Sequence, residues 1–169
     1  MMKINFDNSI IDRFGHGFPR ALKSVNEIVI HHTAGDGGFR GLKKWMLSET
    51  CERKAQYEKH VGYTHYYIDK DGTVNQIMKN NEWAYHSSSG VHDSQTIGIE
   101  VVHKSGPFTD LQYHALIDLI WDIKKECPIT QIVSHDYNYW TFSKGKKGCP
   151  SKDFDFSKLS KLNLIIKTV

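Results

Sequence analysis

The residues best placed to do chemistry are two histidines that end one apolar run, a third that ends another, and a cysteine in the loop beyond. Ile28-Val29-Ile30 leads into His31-His32, and Gly35, Gly37 and Gly38 mark the exit from that strand. Gln131-Ile132-Val133 leads into Ser134-His135-Asp136, and Lys147-Gly148-Cys149-Pro150 follows. A lone histidine is more often a core or solvated residue than a ligand. His31, His135 and Cys149 would instead make a set of two imidazoles and one thiolate, with a fourth position left for water. That is the pattern of catalytic rather than structural zinc. Spacing alone does not choose between His31 and His32.

Several elements must position these groups. Residues 1–24 show no clear period and read as an irregular lead-in. Phe39, Leu42, Trp45 and Met46 recur at helical spacing, with Arg40, Lys43 and Lys44 turned away, which predicts an amphipathic helix. The charged stretch from Glu49 to His60 stays unassigned. Tyr63 to Ile68 suits a strand, and Asp71-Gly72 predicts a hairpin into Thr73 to Ile77. Trp83-Ala84-Tyr85-His86 followed by Ser87-Ser88-Ser89-Gly90 has the composition of a groove wall or lid, or of a surface turn. Thr96 to Val102 is a further strand, with the carboxylate of Glu100 set among apolar residues. Thr109 and Gln112 fit a capping box that opens a long helix, with Tyr113, Leu116, Ile117, Ile120 and Trp121 as its buried stripe and Pro128 as its stop. Phe156, Leu159 and Leu162 predict a closing helix between Asp155 and Ile166. Alternating strands and helices with one hairpin imply a single α/β or α+β domain, a mixed central sheet flanked by helices. Its body is expected over residues 27–169, with residues 1–26 as the lead-in segment.

The whole chain bounds the function. Its 169 residues suit one domain able to bury a core without disulfides. Three cysteines are too few for a disulfide framework, and Cys51 and Cys127 read as inert. A net charge of +3 lacks the clustered basicity of a nucleic-acid binder, so no nucleic-acid partner is expected. No stretch approaches the ~20 apolar residues of a membrane helix, so no membrane insertion is expected either. The amino terminus lacks the apolar run of a secretory signal, which implies synthesis in the cytoplasm.

In this order the short signatures Ile28-Val29-Ile30-His31-His32-Thr33-Ala34, Thr64-His65-Tyr66, Asp71-Gly72-Thr73-Val74, Trp83-Ala84-Tyr85-His86, Ile97-Gly98-Ile99-Glu100, Gln112-Tyr113, Ser134-His135-Asp136 and Lys147-Gly148-Cys149-Pro150 resemble one family. It is the zinc-dependent N-acetylmuramoyl-L-alanine amidases of the second type, which include phage lysozyme-like amidases and animal peptidoglycan recognition proteins. The resemblance covers roughly residues 27 to 162.

The resemblance implies one zinc ion per chain, held by His31, His135 and Cys149, with His32 as a neighbour. It matches Lys147 to the group that stabilises the oxyanion, and amide hydrolysis needs a carboxylate base, for which Glu100, set among apolar strand residues, is the candidate. It places His32, Thr64, His65, Trp83 and His86 at substrate-binding positions. Some members carry tyrosine before the histidine of the third motif. This chain has Thr64 there, with Tyr63 one residue away and so on the opposite strand face. The implied activity is hydrolysis of the amide between N-acetylmuramic acid and L-alanine of peptidoglycan, by a monomer acting as a phage-type endolysin on the cell wall. The alternatives are an amidase that recycles soluble muropeptides in the cytoplasm and a recognition module that binds without cutting. The segments 51–60 and 137–146 match nothing in the family pattern.

Overall fold

A computed structural model describes residues 3–15, 17–48, 63–87, 89–138 and 148–169. Cys51, the 51–60 segment, Lys147 and most of the 137–146 segment lie outside the described residues.

The centre of the molecule is a pair of parallel strands, β3 (Glu27–His32) and β7 (Thr96–Val101). Both are rich in isoleucine and valine, as suits strands buried on both faces. Around them the described residues build a seven-stranded mixed sheet in the order β1-β5-β4-β7-β3-β8-β9. Its other strands are β1 (Ile4–Phe6), β4 (Tyr66–Ile68), β5 (Val74–Gln76), β8 (Gln131–Ser134) and β9 (Ile165–Lys167). Within this sheet, among the described residues, only β4 and β5 pair antiparallel, through the hairpin that Asp71-Gly72 predicts. Gly72 takes φ 82° in that turn, a left-handed value that favours glycine.

The period of two sorts the strand residues between two faces. Ile28, Ile30, Ile97, Ile99 and Ile132 face the long helix α4 (Asp110–Glu126), where Leu116, Ile117, Leu119, Ile120 and Ile123 meet them. Thr109 caps that helix as expected: its side chain accepts from the Gln112 amide, and the Gln112 side chain accepts from the Thr109 amide. The buried stripe runs to Leu119 and Ile123. Trp121 is not part of it, being 44% exposed. The other face is partly closed by a second apolar cluster of Ile10, Ile11, Phe39, Met46, Tyr63, Tyr67, Ile77 and Met78. Helices α1 (Ser9–Phe14) and α2 (Gly38–Met46) contribute to it.

The lead-in is more ordered than its sequence implies. β1 joins the main sheet, and β2 (Phe18–Pro19) pairs with β6 (Glu82–Trp83) in a small second sheet. At the other end, the closing segment is a 3-10 helix over Phe156–Leu162 rather than an α-helix, and a strand follows it. Tyr63 and Thr64 precede β4 instead of starting it.

Candidate functional site

The site lies where β3, β7 and β8 end together. His31 and Glu100 are register partners on adjacent parallel strands, so their side chains leave the sheet side by side on the face opposite α4. β8 runs parallel to β3 as far as Ser134 opposite Ile30, and the backbone turns helical at His135. That turn sets the His135 ring against His31, with centroids 4.2 Å apart. Cys149 arrives from a distant stretch of chain and is tied to this turn by two backbone donors. The Asp136 amide donates to the Cys149 carbonyl at 2.6 Å, and the Gly148 amide donates to Asp136 Oδ2 at 3.0 Å.

His31, His135 and Cys149 are therefore brought together as the sequence suggests. All three are buried, and their donor atoms lie within 4.8 Å of one another. Cys149 Sγ stands 4.0 Å from His31 Nδ1. A tetrahedral zinc ion sets such atoms roughly 3.3–3.7 Å apart, so the set closes on one by shifts of less than about 1 Å per side chain. Two neutral imidazoles and a thiolate also match its ligand preference. The residues fit the metal.

The other nitrogen of His31 is occupied. His31 Nε2 lies 3.1 Å from His86 Nδ1, and His86 Nε2 lies 3.1 Å from Thr96 Oγ1. The His86 ring rests directly on Gly98: a Cβ there would come 2.8 Å from His86 Cγ, so any other residue would displace the ring. The backbone of 86 and 87 is pinned in turn by Asp93 from α3 (Gly90–Asp93), whose Oδ1 accepts from the His86 and Ser87 amides at 3.2 and 2.8 Å. Burial, followed by the neighbouring histidines, pushes His86 well below its ordinary pKa and keeps it neutral.

The residues expected at substrate-binding positions separate into two groups. His65 is 0% exposed and is held by backbone: its Nδ1 accepts from the Gly98 amide at 3.1 Å, which leaves Nε2–H to donate to the Glu82 carbonyl at 2.9 Å. Thr64 is also buried and donates to the Tyr66 carbonyl. The His86 side chain is 1% exposed. In this structure the side chains of all three are buried and turned to internal partners. Trp83 and His32 remain partly exposed. Trp83 stacks on Phe18 at 5.2 Å and touches Tyr85 at 4.7 Å, while the His32 ring faces His103 at 5.9 Å. Tyr63 is buried and its hydroxyl donates to the Gly15 carbonyl at 2.6 Å.

Sequence reasoning missed Arg20, Asp93, Thr96 and Gly98. Arg20 donates to the carbonyls of Asn80, Asp93 and Thr96, and burial lowers its pKa to about 10, which leaves it charged at neutral pH. A signal for two of the others was present. Thr96, Gly98 and Glu100 alternate along β7 and so share the face that carries His31.

A pH dependence follows from His65. Burial first, and then the Arg20 charge, lowers its pKa from 6.5 to about 3. Between those values the unfolded chain takes up a proton that the folded chain refuses, so stability is full above pH 6.5 and falls as pH drops toward 3. The zinc-free protein should lose about 2 kcal/mol between pH 7 and pH 5 from this group, read from urea midpoints at the two pH values. A His65→Asn variant should show a shallower dependence, and an unchanged slope would rule His65 out as its source.

Comparison with known proteins adds three kinds of finding. The sequence profile described as N-acetylmuramoyl-L-alanine amidase matches residues 21–152. No curated protein matches the chain in sequence. Among solved structures, the chain is similar to the endolysin N-acetylmuramoyl-L-alanine amidase LysCS from Clostridium intestinale, with 23% identity, TM-score 0.66, and coverage of 97% of this chain and 98% of that one. It is also similar to a selenomethionine derivative of AmpD, with 15% identity, TM-score 0.70, and coverage of 96% and 95%. Drosophila peptidoglycan recognition protein SD is similar at 14% identity and TM-score 0.63, with 91% of each chain covered. At these identities the structural likeness establishes the fold, a single α/β domain of this type.

Proposed function

The chain belongs to the N-acetylmuramoyl-L-alanine amidase family and is an amidase of peptidoglycan, and from that premise we propose that it works with one zinc ion held by His31, His135 and Cys149, in the role of a phage-type endolysin. The observation that carries the metal reading is the convergence of those three donors, from three separate stretches of chain, beside Glu100 at the strand ends. When bound, zinc supplies Lewis acidity, polarising the amide carbonyl and lowering the pKa of water from about 16 to roughly 7.

The chain's own groups supply the rest. Glu100 projects from β7 next to His31, where its carboxylate takes the proton of the attacking water and returns it to the amide nitrogen as the C–N bond breaks. Lys147, two residues before Cys149 in sequence, supplies positive charge to the developing oxyanion. His135 and Cys149 hold one side of the site through the Asp136 tether, and Trp83 is left as the partly exposed group for substrate, while His32 leaves β3 on the opposite face beside His103.

The endolysin role draws on the fold shared with LysCS, which the chain matches nearly end to end. A complete donor set speaks for cutting over binding alone. The test is to measure zinc per chain and the release of N-terminal L-alanine from purified sacculi and from soluble muropeptides. One zinc and new N-terminal alanine from sacculi are expected. Release from soluble fragments alone would move the role to muropeptide recycling, and no release from either, in a zinc-loaded protein, would leave a recognition module.

A further inference from the structure

We infer that His86 is a positioning residue that fixes which ring nitrogen His31 presents to the metal, and that Thr96 fixes His86 in turn. The inference rests on the three-ligand reading and goes beyond it, because it assigns roles to residues that touch neither metal nor substrate. His31 Nδ1 is the nitrogen near Cys149 Sγ, at 4.0 Å, while Nε2 meets His86 Nδ1 at 3.1 Å. A neutral imidazole that gives the Nδ1 lone pair to a metal carries its proton on Nε2. His31 Nε2–H must then donate, and His86 Nδ1 must accept.

The consequence passes one step further. With Nδ1 accepting, neutral His86 holds its proton on Nε2, where Thr96 Oγ1 at 3.1 Å receives it. Asp93 Oδ1, 3.8 Å from the same nitrogen, favours a donor there. A metal at the His31 end thus selects one proton arrangement along the whole chain of groups. The reverse arrangement would aim Nδ1–H of His86 at His31 and remove the donor from Nε2.

The surrounding strand is shaped for this. Thr96 and Gly98 lie on the His31 face of β7, and Gly98 leaves the recess that His86 fills. The Asp93 contacts to the His86 and Ser87 amides hold the backbone that delivers the ring. Groups that orient a metal-binding imidazole from behind are worth roughly 10–100-fold in metal affinity.

The test compares the full chain with His86→Ala, His86→Asn and His86→Gln by competing zinc against a chelator. His86→Ala and His86→Gln should bind zinc ~10–100-fold more weakly. His86→Asn should recover much of the loss, because its amide oxygen falls close to where Nδ1 stands. A purely space-filling role would not distinguish Asn from Gln. In the zinc-loaded parent, nitrogen-15 NMR of the imidazoles should show His86 protonated at Nε2. Should His86→Ala fail to fold, that spectrum and Thr96→Val, which should weaken zinc by a smaller factor in the same direction, still decide the matter. Zinc held equally tightly by parent and His86→Ala, or His86 protonated at Nδ1 in the loaded parent, overturns this inference alone. A parent that binds no zinc overturns the ligand set, and this inference with it.

Discussion

Replacing His31, His135 or Cys149 with alanine should remove zinc and amidase activity together, while His32→Ala keeps both. The three residues supply the whole protein donor set among the described residues, so each substitution leaves two donors where the metal needs three. The loss should exceed the ~10–100-fold expected for an outer-shell partner and leave activity at background. His32 is the sharp control. It follows His31 directly, so its side chain leaves the strand on the other face, near His103 rather than the cluster. Metal content per folded chain and alanine release from sacculi are the measurements. Full zinc in His31→Ala beside loss in His32→Ala would overturn the assignment.

Glu100→Gln should keep zinc and the fold while kcat falls by at least ~100-fold, the lower end of what acid-base catalysis supplies. Glutamine preserves the shape of the side chain and its place beside His31 but cannot accept the proton of the attacking water. Tyr63→Phe serves as the contrast. Its hydroxyl is spent on the Gly15 carbonyl inside the second apolar cluster, so turnover should change little and any cost should fall on stability. Near-full turnover in Glu100→Gln together with loss in Tyr63→Phe would transfer the proton step to the tyrosine.

The parts of the fold that the sequence announces are those with long periods or specific turn chemistry. β3 and β7 are legible from their β-branched runs, α4 from its capping box and stripe, and the β4–β5 turn from Asp71-Gly72. β1 and β9 are not legible, because each is three residues long and exists only by adding to an edge that other strands provide. The same contrast runs through the site. His31, His135 and Cys149 each sit in a short motif, so the set can be assembled on paper. The role of His65 cannot, since it is decided by the Gly98 amide 33 positions away and the Glu82 carbonyl 17 positions away. Local spacing has no access to partners that only the folded sheet brings near. Trp121 fails for a different reason: helical spacing places it at the margin of the α4 stripe, where it stays 44% exposed.

The tether between Asp136 and the Gly148-Cys149 segment has a consequence for how this enzyme can be altered. Two hydrogen bonds staple the chain on either side of the interval 137–147, next to His135 at one end and at Cys149 at the other. Because closing a longer loop costs only about 0.6 kcal/mol per doubling of its length, the ligand pair tolerates large changes in what lies between. Within that interval residues 139–146 are therefore the place to graft new recognition sequences, giving the hydrolytic centre a different cell-wall target while Lys147 and the buried Asn138 stay in place.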